Sequence, residues 1–380
     1  MLYSNYKNHL FWRIKLLQPI KKPGKISLHS YLGDYQGVGS IRVIFPGLLL
    51  NNYLRIPGYT FSASYGTQYI NDANFYSNQT FIQFQRSTTD KHLNLIKHFK
   101  ENIRKRTKTP ILLEIDDLLF GIPEWNYASD YYSKFVPSIE QIMREVDGIV
   151  VSTEFLKSQY SKYNEKIEVI PNHLPKFLWG ESIPQHTLDK PGKVKIVWAG
   201  SDNHFANKIL ISKGISGGDF SDTLINFIRK TTKDYHWIIL GGCPAELNDL
   251  KNNGIEYHGW RSIFEFPRFY QSLQPDIVIA PLEYNDFNRA KSNLKLIEAC
   301  AIGAAGIYSD IEPYHGTRMS AKTPQDMVDM IEEVAGNREL RVEIYNHDLH
   351  LVKDVLYWES NENVRKYIET YLRFFKRCLE

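Results

Sequence analysis

Ile277-Val278-Ile279-Ala280 forms an uninterrupted apolar run closed by Pro281 and Leu282, and after a polar loop the stretch Asn288 to Gly303 adopts a helical period through Leu294, Ile297 and Ala301. A strand apolar on both sides belongs in a parallel sheet covered by helices on both faces. Lys291, Ser292 and Lys295 cluster where the following helix begins, and there the open backbone N–H groups and the helix dipole attract anions. A diphosphate would gain from both. Glu298 lies one turn further in, a carboxylate able to accept hydrogen bonds from two vicinal hydroxyls such as those of a ribose. Phosphate donors followed by a hydroxyl reader suggest a nucleotide diphosphate. The same residues would also suit an ordinary amphipathic helix with solvated lysines.

On these residues, running on into Ile307-Tyr308-Ser309-Asp310, the chain resembles the donor-binding segment of retaining nucleotide-sugar glycosyltransferases of the group 1 type. The resemblance implies an α/β fold of two Rossmann-like domains facing a cleft, the GT-B architecture. It also implies transfer of a hexosyl or pentosyl group, with retention, from a nucleoside-diphosphate sugar to a hydroxyl, a uridine-linked (UDP-sugar) donor being the first choice. No cofactor beyond this co-substrate is expected, and no metal. The family carries two glutamates eight positions apart. Glu298 matches the second, which holds the nucleotide ribose, while Ala290 stands in place of the first and is followed by Lys291-Ser292, a pair that similar bacterial and phage enzymes use here. Lys291 is then expected to be catalytic, meeting the charge on the departing diphosphate. The missing glutamate keeps open the reading of an inactive nucleotide-sugar binding protein, and an epimerase of the same two-domain architecture is a further alternative.

The length of 380 residues suits about two domains. Their expected limits are 1–185 for an N-terminal acceptor domain, 192–355 for a C-terminal donor domain, and 356–380 for a helix that, in enzymes of this architecture, returns to the first domain. Cys243, Cys300 and Cys378 are odd in number and widely spaced, which fits a reducing compartment and argues against a zinc site. Leu10-Phe11-Trp12, broken by Arg13 and Lys15, is too short and too charged for a signal or a membrane span. Cytoplasmic residence is expected, in the host cytoplasm if the chain is viral. Residues 1–110 carry 16 Lys and Arg against four Asp and Glu, whereas the remainder is net acidic. An anionic partner for the first half, or a solvated surface balanced by the acidic half, would explain this.

Along the first half, Lys25 to Tyr31 reads as a strand, and Gly33 to Arg42 as a glycine-rich turn ahead of the apolar segment Val43 to Leu50. In the family an equivalent loop lies in the cleft, so Gly37, Gly39 and Arg42 are candidate ligand contacts. Phe81 to Phe84 is another strand. A basic helix from about Thr89 to Arg106 follows, its charges too dense for a large apolar face, with Lys97, Lys100, Arg104, Lys105, Arg106 and Lys108 able to meet phosphates or simply solvent. Pro110 to Asp117 is a buried-strand pattern ending in carboxylates, which places Asp116 toward the cleft as the candidate that binds or deprotonates the acceptor hydroxyl. Asp117 would equally serve as a helix cap. Trp125, Tyr127, Tyr131 and Tyr132 form an aromatic loop suited to stacking or to packing at a domain edge.

After the strand Lys166 to His173, with its Ile-Pro-Asn ending, residues 175–192 read as a linker. Val194 to Ser201 opens the second domain. The resemblance sets Gly200 and Ser201 against the donor diphosphate, leaves His204 as a helper or a surface histidine, and makes Trp260 and Arg261 contacts of the nucleobase. The acceptor is less constrained. A basic, aromatic first half would suit the DNA-modifying glycosyltransferases of large bacteriophages, acting on hydroxymethylated pyrimidines that must be extruded from the duplex. The competing acceptor is a lipid-linked or cell-surface glycan, with Leu10-Phe11-Trp12 touching the bilayer.

Overall fold

The computed structural model describes residues 25–52, 60–180, 192–251 and 253–379; the expectation for Leu10-Phe11-Trp12 lies outside them. Among the described residues twelve strands are arranged in two six-stranded sheets, each wholly parallel. The first holds β1 (Lys25–Tyr31), β2 (Thr60–Gly66), β3 (Phe81–Gln85), β4 (Ile111–Ile115), β5 (Gly148–Val151) and β6 (Ile167–Val169), in the spatial order β2-β1-β3-β4-β5-β6. The second holds β7 (Lys195–Gly200), β8 (His236–Gly241), β9 (Ile255–His258), β10 (Ile277–Ala280), β11 (Ala305–Ser309) and β12 (Ser320–Ala321), ordered β12-β11-β10-β7-β8-β9. The α/β class follows from both, since parallel strands need crossover helices and those helices cover both faces.

Alternation along the strands divides each sheet between two cores. In the first domain Phe84, Leu113 and Ile149 pack under the helices 90–107 and Val136–Glu145, while Leu28, Phe81, Leu112 and Val150 face Leu49, Leu50 and the last helix of the chain, Asn361–Leu379. That helix buries Tyr367, Ile368, Tyr371 and Phe374, and the Tyr371 hydroxyl donates to Gln83 Oε1 at 2.7 Å. In the second domain Val197, Ile238 and Val278 pack against Leu296, Ile297 and Ala301, and Trp198, Ile239 and Ile279 pack on the other face.

The basic helix corrects an expectation. Thr89 caps it, Leu93, Ile96, Phe99 and Ile103 give it a full apolar face, and only its outer side is charged. Because it starts at the carboxyl end of β3 and runs back to the start of β4, its cation-rich end lies at the amino edge of the sheet, about 25 Å from where it began. Lys100 pairs there with Glu145 (2.8 Å) and Arg104 with Asp147 (2.6 Å), just ahead of β5. These cations therefore do not line a path into the carboxyl-end cleft.

Residues 60–66 make a seven-residue strand in full parallel register with β1. One other segment departs from the sequence reading. Within the expected linker, Lys176–Trp179 is a short helix whose Trp179 is buried in the core of the second domain. Leu174 exchanges backbone hydrogen bonds with Leu356 and Trp358, so the two crossings between domains run side by side.

Candidate functional site

In each sheet the strand order reverses direction at one place, between β1 and β3 and between β7 and β10. Ligands of open parallel sheets collect outside the carboxyl ends at such switch points, where neighbouring loops part. The two switch points face one another. Hydrogen bonds cross between the domains from the Trp125 indole to Glu283 Oε2 (2.8 Å), Asn126 Nδ2 to the Asn203 carbonyl (3.1 Å), Thr153 Oγ1 to the Ala290 carbonyl (3.2 Å) and Asn172 Nδ2 to Ser292 Oγ (2.9 Å). Apolar contacts support them, with Trp125 against Ala206 and Leu210, and the Phe264 ring edge-on to Phe45 at 5.9 Å.

The loop after β10 is held from several sides. Asn288, fully buried, donates to Asp219 Oδ1 (2.6 Å) and to the Glu283 carbonyl (2.9 Å). Arg289 lies over the Phe155 ring (4.5 Å) and binds Glu312 (2.6 Å). Ala290 is 0 % exposed and packs into the core of the first domain with Ile115, Leu118 and Val151. The position where the resemblance lacks a glutamate is thus a packing position between domains. A glutamate there would bury a charge among apolar side chains.

Beyond Ala290 the chemistry changes. Ser292 lies just before the helix Leu294–Ile302, whose first residues are capped by no side chain, leaving the helix entrance open to an anion. Lys291 lies over the Phe287 ring (4.5 Å) and is held below the ordinary ammonium range by burial; Asp219 pulls it back up, and Arg86 from the other domain depresses it further. Lys295 donates to the Ala199 carbonyl, lies over Trp198 (5.5 Å), and is likewise lowered by burial, with Glu298 opposing the shift. Burial also raises the Glu298 carboxyl, Lys295 counteracting it. Among the described residues the Glu298 carboxylate accepts no hydrogen bond. Two partly buried cations and a carboxylate without donors form a site whose charges are incompletely answered by the protein itself.

Gly200 ends β7 against this group. A side chain there would come within 2.5 Å of Trp198 Cζ2 and 3.1 Å of His204 Cδ2, so its glycine is required by the packing beneath the loop. Ser201 follows, partly exposed. His204 is buried rather than superficial. Its Nδ1 bonds Asp219 Oδ2 at 2.6 Å, and burial lowers its pKa to about 4, so it is a neutral imidazole donating to Asp219. Asp219 therefore joins His204, Asn288 and the Glu283 N–H in one knot under the cations. Trp260 is 63 % exposed and its ring edge passes near Gly241 at the end of β8, while Arg261 lies over Phe269 (4.2 Å).

On the opposite wall Asp116 follows β4 and pairs with Arg86 Nε (3.0 Å), and Asp117 binds the same guanidinium. That contact replaces the helix-cap role considered for Asp117. Arg86 follows β3 directly in a left-handed conformation (φ 46°), and its guanidinium meets both acids. Tyr132 feels the charges of Arg86, Asp116 and Asp34, and Tyr131 stands edge-on to it at 5.1 Å. Tyr35, Tyr127 and Tyr131 are exposed.

The glycine-rich loop corrects two expectations. Gly39 N–H is held by Asp34 Oδ1 (3.3 Å), which also takes the Gln36 N–H (2.7 Å), and a side chain at Gly39 would strike the Asp34 carbonyl. Its glycine closes the loop rather than admitting a ligand. Arg42 is 5 % exposed and donates to Glu114 (2.6 Å), the Ile170 carbonyl (2.6 Å) and Asn172 Oδ1 (2.8 Å), so it is an interior anchor and not a ligand contact. Gly37 alone stays open, at the first turn of the helical segment 37–52. Sequence reasoning missed Arg86, Asn172 and Asp219. Arg86 had a signal, the first charge after an apolar strand. Asp219 had none, because it follows a glycine-rich stretch with no strand before it.

Among the described residues no group of three His, Cys, Asp or Glu could hold a metal ion, and no helix is long and apolar enough to cross a membrane. No protein-family model matches the chain, and no curated protein matches it. Solved structures do. The catalytic domain of starch synthase IV from Arabidopsis thaliana, bound to ADP and acarbose, is similar with a TM-score of 0.54 and 9 % identity over 93 % of this chain and 99 % of that one. An O-GlcNAc transferase variant from Thermobaculum terrenum is similar with a TM-score of 0.51 and 10 % identity, covering 95 % of this chain and 70 % of that one. The likeness is one of fold: two parallel α/β domains in the GT-B architecture.

Proposed function

We propose that this chain is a glycosyltransferase that moves a sugar from a nucleoside-diphosphate donor to a hydroxyl acceptor with retention. The observation that carries this reading is the constellation at the open helix entrance. Lys291, Ser292 and Lys295 would take the diphosphate, and Glu298, a carboxylate without donors, would take the ribose hydroxyls. The similar starch synthase was solved with a nucleoside diphosphate, which agrees with such a ligand in this architecture. Trp260, exposed beside Gly241, is the surface offered to a base. As the bond to the sugar breaks, negative charge grows on the leaving diphosphate, and Lys291 with the helix amides would stabilise it. Asp116, one oxygen engaged by Arg86, offers the other to the acceptor hydroxyl. No protein nucleophile is needed in this scheme.

For the acceptor, exposed tyrosines and the carboxylates Asp34 and Asp116 at the carboxyl end of the first sheet favour a neutral polyhydroxyl group, a glycan. A hydroxymethylated pyrimidine in phage DNA, the other acceptor, requires phosphate contacts near the cleft, whereas the basic end of helix 90–107 lies at the far edge of the sheet. Titration of the protein with uridine diphosphate and other nucleoside diphosphates, read as a rise in melting temperature, tests the donor site. A shift with none of them sinks the proposal. Release of nucleoside diphosphate from a donor sugar in the presence of oligosaccharides, against duplex DNA at low and high salt, separates the acceptors.

A further inference from the structure

The only connection between the buried ion pair of the first domain and the candidate donor loop of the second, among the described residues, runs through one amide. Arg42 and Glu114, both nearly inaccessible, bond at 2.6 Å. Arg42 also donates to Asn172 Oδ1 at 2.8 Å, and Asn172, itself 6 % exposed, donates from Nδ2 to Ser292 Oγ at 2.9 Å. The orientation of the amide is fixed chemically. A guanidinium has donors only, so the Asn172 oxygen must face Arg42 and its N–H must face Ser292. A serine hydroxyl has one proton to give and lone pairs to receive. Because Asn172 fills an acceptor position, the Ser292 proton is left to donate elsewhere, and among the described residues it has no acceptor.

We propose that Asn172 is a positioning residue for the donor site: anchored by Arg42, it orients the Ser292 hydroxyl so that its proton points at the donor diphosphate, and so couples docking of the two domains to donor binding. This rests on the reading of Lys291, Ser292 and Lys295 as the diphosphate site. Three unrelated stretches of chain supply the relay, with Arg42, Asn172 and Ser292 lying 130 and 120 residues apart.

Asn172→Asp separates the two halves of this role. It keeps an oxygen for Arg42, and therefore the melting temperature, but it offers Ser292 an acceptor instead of a donor and so captures the hydroxyl proton. Binding of uridine diphosphate is measured by calorimetry for the wild type, Asn172→Asp, Ser292→Ala and the double variant. Each single change is expected to weaken binding about 10- to 100-fold, the range for a hydrogen bond to a charged group. In the double variant the Asn172→Asp step is expected to cost nothing further, because the residue it acts through is gone. The added negative charge alone would repel the diphosphate equally in both backgrounds. Multiplying losses, or wild-type affinity in Asn172→Asp, therefore overturn the relay while leaving the donor site standing. Failure of the wild type to bind uridine diphosphate or any other nucleoside diphosphate overturns both. If Asn172→Asp does not fold, Asn172→Ala takes its place in the same cycle with the same two outcomes.

Discussion

Arg42 and Lys291 are both sequestered cations, one in each domain, and their surroundings treat them in opposite ways. Burial works against the charge of Arg42, but Glu114 and Asp116 more than offset it, so its proton is held above the ordinary range. Its guanidinium donates to three acceptors, from Nε to Glu114 and from Nη1 to the Ile170 carbonyl and Asn172 Oδ1. Burial works against Lys291 as well, and there the nearest carboxylates do not make up the loss, so its proton is loosened. Burying a charge is tolerated when partners are built in, and is costly when they are not. The first arrangement is therefore architecture. The second is a site lacking its anion, and a diphosphate would supply what the protein withholds.

The contrast predicts different failures. Arg42→Ala strands the Glu114 carboxylate in the interior and is expected to destabilise the chain by about 3–5 kcal/mol, a large share of the about 5–15 kcal/mol that holds a typical domain folded. Urea denaturation measures this. The pair Arg42→Met with Glu114→Leu should recover part of the loss, since apolar replacements remove both desolvation costs. Lys291→Ala should do the reverse, leaving the urea midpoint equal or higher because an unanswered cation is gone. Transfer, followed as nucleoside-diphosphate release with acceptor present, is expected to slow about 100- to 1,000-fold, with the donor Kd changing less. A fall in stability for Lys291→Ala, or full stability for Arg42→Ala, would erase the distinction between the two cations.

The same contrast explains what could be read without a structure. Ile277–Ala280, Ile111–Ile115 and Lys195–Gly200 are legible because a strand buried on both faces is largely apolar, with Glu114 and the leading Lys195 as the exceptions, a purely local signal. Lys291, Ser292, Lys295 and Glu298 are legible because one βα junction carries them all. Arg42 was misread because its partner Glu114 is 72 residues away and two glycines, Gly37 and Gly39, stand just ahead of it in sequence. Helix 37–52 hid behind those glycines, which are poor helix formers and read as a turn, and its π-turn Ser40–Ile44 further breaks the 3.6-residue period. Ala290 carries no local sign of its burial, because it becomes interior only when the second domain docks on the first.

Glu298 gives the third test, through pH. Its carboxyl is raised to about 7 by burial, Lys295 moderating the shift, while Lys295 is lowered to about 8 by burial, moderated by Glu298. A ribose needs the ionised carboxylate and a diphosphate needs the ammonium. A group whose pKa is raised loses its charge first as pH falls, so uridine diphosphate should bind progressively more weakly below about 7, approaching tenfold per pH unit. Above about 8 the Lys295 charge is lost and affinity declines again. Glu298→Gln should bind about tenfold more weakly and lose the acid-side dependence. Retention of that dependence in Glu298→Gln would move the titrating group elsewhere.

The smallest effect is expected where no charge is buried at all. Trp260 is 63 % exposed, with its ring edge near Gly241, so it contributes little to the fold. Trp260→Ala should leave the urea midpoint unchanged to within about 0.5 kcal/mol. If the ring is the platform for the base, its removal should weaken nucleoside-diphosphate binding by about 1–3 kcal/mol, the range for a base stacked on an aromatic side chain. Binding of inorganic pyrophosphate, which has no base to stack, should not change. This pairs Trp260 against Lys291 within one site, since Lys291→Ala should affect both ligands. Equal losses for the two ligands in Trp260→Ala would place the tryptophan beside the phosphates and leave the base without a platform.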